Sequence, residues 1–232
     1  MDQLRKDSRV AGLLYLFVVL LGPFTLIYVP SKLFVPGDGG ATARNILAHE
    51  SLFRVFTVVE IVAELFFVLT VLALYRLLRA VGQQLASVMA ILVLVDAPLA
   101  FLGVVNHLAT LTLVRGGDLL GAFSEAQRHA LTALLLTVDK QSTLVSEIFW
   151  GLWLIPLGLL VYRSGFLPRL LGGWLVINGF AYVTMSFTGL LLPEYAKTVF
   201  TVATPVLFGE AVFMLWLLIV GARVRPSPVP AS

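Results

Sequence analysis

The chain has 232 residues and a net charge of +3; 59% of it is hydrophobic, only 12% is charged, and the mean hydropathy is +0.97. A soluble domain carries about 25% charged residues, so this chain lacks the polar groups to cover a water-facing surface, and lipid is its expected solvent. No basic stripe with interleaved aromatics is present, which argues against nucleic acid as a partner. The absence of cysteine excludes disulfides, thiolate metal sites, Cys nucleophiles and lipoprotein-type acylation.

Arg5, Lys6 and Arg9 precede an uncharged run, Val10–Val29. It is longer than the apolar core of a signal peptide, about 7–15 residues, and no small-x-small cleavage site follows it. A retained first span is expected. A helix needs about 20 mostly apolar residues to cross a hydrocarbon core, and five further segments qualify: Val55–Tyr75, Leu85–Val114, Thr143–Tyr162, Leu170–Leu192 and Thr198–Ala222. The fold class predicted is all-α, a polytopic bundle of six transmembrane helices with two short outer interfacial helices. Residues 1–225 form one domain in this reading, and the Pro-rich stretch 226–232 is a disordered tail.

The first outer helix follows the turn cluster Pro36-Gly37-Asp38-Gly39-Gly40, with Asp38 as its N-cap. Ser124-Glu125-Ala126-Gln127 fits a capping box for the second, and Leu131, Leu134, Leu135 and Val138 follow at helical spacing. No Gly or Pro interrupts Ser124 to Trp150, so this helix can run straight into the fourth span. A continuous helix would be roughly 57 Å long at about 1.5 Å per residue, and a bend is expected at Asp139-Lys140-Gln141-Ser142. Pro23, Pro98, Pro156 and Pro205 lie inside spans, where each removes a backbone donor and kinks its helix.

Basic residues set the orientation. With the N-terminus inside, nine fall on the inner side, packed close to span ends (Arg5, Lys6, Arg9, Arg76, Arg79, Arg163, Arg169, Arg223, Arg225), against seven outside. The expected location is the cell (inner) membrane, with both termini cytoplasmic.

Several stretches resemble a bacterial six-span family catalogued as a domain of unknown function, the DUF4386 type. They are Ser31-Lys32-Leu33 with Val35-Pro36-Gly37-Asp38, continuing through Asn45-Ile46-Leu47-Ala48 and Leu52-Phe53-Arg54; then Val161 to Pro168; then Gly209-Glu210 with Leu215-Trp216-Leu217. The resemblance covers about Arg9 to Gly221 and implies the six-span architecture. It implies no activity. Glu147 and Trp153 depart from the family's pattern, so no role is carried over to them.

Ionisable groups within spans are the sharpest functional signal, because a charge at the centre of a span costs about 2.5–3.5 kcal/mol. Glu60, Glu64, Asp96, Glu147 and Glu210 lie there without a mid-span Lys or Arg, and His107 is the one histidine within a span. Glu64, Asp96 and Glu210 fall near mid-depth; Glu60, Glu147 and His107 sit nearer the outer face. Glu60 and Glu64 share a helix face. Asp96, Gly103 and His107 align within about 20°, and Asn178, Tyr182 and Ser186 form a polar stripe. If these faces converge, they line a carboxylate cavity that binds or conducts a proton, a cation or a small amphiphile. The bland alternative is that each acid hydrogen-bonds a neighbouring helix and holds the bundle together.

A metal site from Glu60, Glu64, Glu147 and His107 is conceivable by ligand type, although no spacing motif supports it. His49 and His129 read as surface residues. Motifs for haem, retinal, zinc hydrolysis, phosphate loops and serine hydrolysis are missing, and the sequence assigns no cofactor. Two rival functions remain open at this stage, an intramembrane enzyme acting on lipid and a structural or accessory membrane subunit.

Overall fold

The computed structural model describes residues 2–117 and 120–223; Arg225 and the tail 226–232 lie outside the described residues. Among these the chain is helical, with no strand. Helix α1 (Asp2–Pro23) passes through a π-helical turn (Phe24–Tyr28) into α2 (Val29–Leu33), followed by α3 (Gly39–Ala48), α4 (Glu50–Leu78), α5 (Gln83–Arg115), α6 (Glu125–Arg163), α7 (Arg169–Leu191) and α8 (Ala196–Leu215). Six stretches are long and apolar enough to cross a membrane: Gln3–Leu33, Glu50–Leu78, Gln83–Arg115, Glu125–Arg163, Arg169–Leu191 and Pro193–Val220. They contain the first four spans read from the sequence and overlap the last two, whose ends the sequence reading places one and two residues too far on, at Leu192 and Ala222. The protein is a polytopic membrane protein.

Its surface agrees with that solvent. Leu102 is 61% exposed and Val202 72%, a poor arrangement in water but a neutral one against acyl chains. Exposed hydroxyls are settled locally, as lipid requires. Thr112, Thr184, Thr201 and Thr204 each donate to the carbonyl four residues earlier, at 2.8–2.9 Å.

The turn chemistry read from the sequence is present. Asp38 Oδ1 accepts from the Ala41 N–H at 2.7 Å, capping α3. The capping box closes in both directions, Ser124 N–H to Gln127 Oε1 at 2.8 Å and Gln127 N–H to Ser124 Oγ at 3.3 Å. The segment it opens is the start of α6, which continues without interruption through Asp139–Ser142 into the fourth span. Pro23 carries no N–H, and the chain absorbs the lost donor by widening into the π turn that begins at Phe24.

Two compact units make up the chain. The first gathers Met1–Leu16, Phe67–Leu94 and Glu147–Ser232; the second gathers Phe17–Phe66 and Val95–Ser146. In the first unit α6 and α7 are antiparallel and pack through glycine pairs. A Cβ built on Gly158 would lie 2.6 Å from the Gly172 carbonyl oxygen, and the reverse is also 2.6 Å; Gly151 and Gly179 make the same kind of approach one heptad further on. Small residues that let backbones touch are how membrane helices gain van der Waals contact without a hydrophobic drive. Tyr15, Phe67, Trp153 and Phe213 fill the interior beside them.

The second unit is centred on Val29, Leu33, Ile46, Phe53, Phe56 and Leu111. Here α6 turns its polar side inward. Thr132 and Ser146 are buried, whereas Leu134 and Val138 are exposed. A soluble amphipathic helix would be arranged the other way round.

Candidate functional site

In the second unit, helices α4, α5 and α6 bring three titratable side chains together. His107 is 1% exposed and is packed among Phe34, Phe53 and Phe56, with the Phe56 ring centroid 4.8 Å from its own. Its Nδ1 lies 2.7 Å from Glu60 Oε2, and its Nε2 lies 3.1 Å from Asp139 Oδ1. The first contact is a well-formed hydrogen bond; the second has ion-pair distance without hydrogen-bond alignment. Both ring nitrogens can donate only in the imidazolium form. The cluster is therefore an acid–imidazole–acid bridge whose protons have more than one place to reside.

The sequence supplies this geometry through helical periodicity. Thr132, Asp139 and Ser146 are spaced by seven, two turns apart, and so share the buried side of α6. Gly103 of α5 faces the same carboxylate: a Cβ built there would stand 3.8 Å from Asp139 Oδ1, an ordinary contact. Asp96 is buried on the same helix as His107, and it is near enough to Glu64 to act on it electrostatically. Glu64 Oε1 is buried with no hydrogen-bond partner among the described residues.

In the first unit Glu210 of α8 accepts a hydrogen bond from Tyr15 of α1, and the side chains of Tyr182 and Asn178 of α7 stand beside it within electrostatic reach. Asn178 and Ser186 are fully buried, so the polar stripe read on α7 does face inward. Around Pro205 the α8 backbone also accepts from α7. Trp174 Nε1 donates to the Val206 carbonyl at 2.9 Å and Asn178 Nδ2 to that of Leu207 at 3.4 Å. Glu147 is within electrostatic reach of Tyr182, and its Oε2 is buried without a hydrogen-bond partner among the described residues.

The structure therefore joins Glu60 to His107, sets Glu64 near Asp96, and gathers Asn178, Tyr182 and Glu210. Among the described residues no three His, Asp or Glu side chains are grouped to hold a metal ion; of the metal candidates, Glu60, Glu64 and His107 belong to the second unit and Glu147 to the first. His129 is not purely a surface residue, because its backbone carbonyl and ring fill the space above Gly39 and Gly40.

Two participants escaped the sequence reading. Asp139 was placed at a bend on the strength of its polar neighbours, although its heptad spacing from Thr132 was available. Tyr15 sits in an uncharged run as though merely apolar. A phenol hydroxyl at that depth requires a partner, and that requirement was the usable signal.

An uncharacterized protein of Archaeoglobus fulgidus is 34% identical over 98 residues, which is 41% of this chain and 52% of that protein, so the matched stretch spans about half of the relative's length. No solved structure matches. The family model described as domain of unknown function (DUF4386) matches residues 10–221, nearly the whole chain, and the protein belongs to that family.

Proposed function

We propose that the protein binds or conducts a proton, a cation or a small amphiphile at its membrane-embedded carboxyl groups, with proton movement as the reading that the geometry favours, and that it works in the cell membrane with both termini cytoplasmic. The observation that carries this reading is His107 held between Glu60 and Asp139 inside an apolar helix cluster. Three titratable groups on three helices hold a proton that can shift among them. That is expensive as mere scaffolding, because each group had to be taken out of water. Glu64 and Asp96 extend the set in the same unit, and Glu147, Glu210, Asn178 and Tyr182 are its counterparts in the other. The dense inner arginines support the orientation.

The test is proton uptake by the purified protein in liposomes with an internal pH dye. Glu60→Gln, Asp139→Asn and Glu64→Gln should each lose most of the flux, while the protein remains folded. Flux and cation binding unchanged in all three would end the proposal.

A second reading applies to Glu210 alone. Three neutral donors on α1 and α7 surround it, as they would a fastening between helices. Under this reading Glu210→Gln lowers thermal stability and leaves flux intact.

A further inference from the structure

In the second unit a pocket of about 280 Å³ lies among α3, the end of α5 and the start of α6. Three guanidinium groups line it, from Arg44, Arg115 and Arg128, together with the His129 imidazole. Basic side chains crowded this closely repel one another, so the fold must position them deliberately, and it does. Arg115 is clamped by Glu50 in a two-pronged pair, Nη2–Oε1 at 2.6 Å and Nε–Oε2 at 3.0 Å. The Arg128 guanidinium lies over Gly116, where a Cβ would come within 2.7 Å of Nη1 and where φ is +69°. The His129 ring lies over Gly40, 3.0 Å from where a Cβ would stand. Gly116 holds a backbone conformation that favours glycine beneath the Arg128 guanidinium, and Gly40 lets the His129 ring approach closely.

Glu50 is committed to Arg115 and Arg54. The lining acid Glu125 stands 3.7 Å from His129 and is 77% exposed. Among the described residues neither Arg44 nor Arg128 takes part in an ion pair. Forked donors of this kind match phosphate oxygens. The volume lies just below the range of ligand pockets, which starts at about 300 Å³; it suits a headgroup and excludes an acyl chain. Leu47, half exposed beside Arg44, offers an apolar wall to whatever follows the headgroup.

We infer that this pocket binds a phosphate-bearing anion, and that its source is the headgroup of an acidic phospholipid at the membrane surface. Inorganic phosphate shares the chemistry but lacks the apolar remainder that would use Leu47. The proposal does not depend on proton movement, and its readout does not involve flux.

The experiment uses the full chain in detergent, with native mass spectrometry and thermal stability as readouts. Phosphatidylglycerol, phosphatidylcholine and inorganic phosphate are added separately. Phosphatidylglycerol should be retained and should raise the melting temperature, whereas phosphatidylcholine and millimolar phosphate should do neither. Arg44→Gln and Arg128→Gln should each weaken retention by about tenfold, the loss of one charge-assisted contact. Arg128→Lys should fall between them and the wild type. Arg79→Gln, an exposed arginine of the other unit, should bind normally. Equal retention of phosphatidylglycerol by the wild type and both glutamine variants would overturn the site. A response to phosphate as strong as that to phosphatidylglycerol would overturn the lipid source.

Discussion

Glu210 and Glu60 are both glutamates on apolar helices, and their neighbours give them different chemistry. Glu210 is met by two phenols and an amide. Phenols and an amide can donate to a carboxylate or accept from a carboxylic acid, but an amide has no titrating proton and a phenol gives its own up reluctantly, which favours the reading of Glu210 as a fastening. Glu60 faces an imidazole whose far nitrogen faces a second acid, so a proton gained by one member changes what the others can hold. A carboxyl inside a membrane is thus not a function by itself. Its partners decide whether it locks or relays.

The strongest way to disturb the comparison is to shift the scaffold beneath one side of it. Gly158→Leu or Gly172→Leu would drive a side chain into a facing backbone carbonyl 2.6 Å away, which no rotamer change relieves. A loss of about 3 kcal/mol or more is expected in reversible unfolding in mixed micelles. Wild-type stability would mean that the α6–α7 approach is looser than described.

His107→Leu should cost nearly as much, on the order of 3 kcal/mol, because it leaves two acids facing each other without the imidazole. The deficit should shrink in mildly acidic buffer, where protons take the imidazole's place. Glu210→Leu strands three neutral donors, one of which already has a carbonyl within reach. It should cost about 1–2 kcal/mol, and the loss should vary little with pH. If the two variants respond to acid alike, the distinction between lock and relay fails. Tyr15→Phe removes the hydrogen bond that ties α1 to Glu210 and should cost about 0.6 kcal/mol, the usual worth of a polar contact between membrane helices; a much larger loss would make the Tyr15 bond the principal fastening of Glu210.

The spans, the Asp38 cap and the Ser124–Gln127 box were legible because each is local, a matter of hydropathy over about 20 residues or of side chains three apart. The inward stripe of Asn178, Tyr182 and Ser186 was legible because a helix repeats. The α6–α7 glycine pairs were not identified, since a heptad of glycines becomes a contact only when a second helix carries the matching heptad in antiparallel register. Asp139 was misread for a related reason. On a membrane helix the polar side can be the buried one, and hydropathy alone does not say which side meets lipid.

The sequence by itself determined the solvent, the number of crossings and the inventory of acids, because burying that much apolar surface leaves a chain no other home. Only the tertiary structure decided which acid meets which partner. Pairing between helices depends on rotation and depth, and helices far apart in sequence, such as α1 and α8, carry no local signal that one's tyrosine ends beside the other's glutamate.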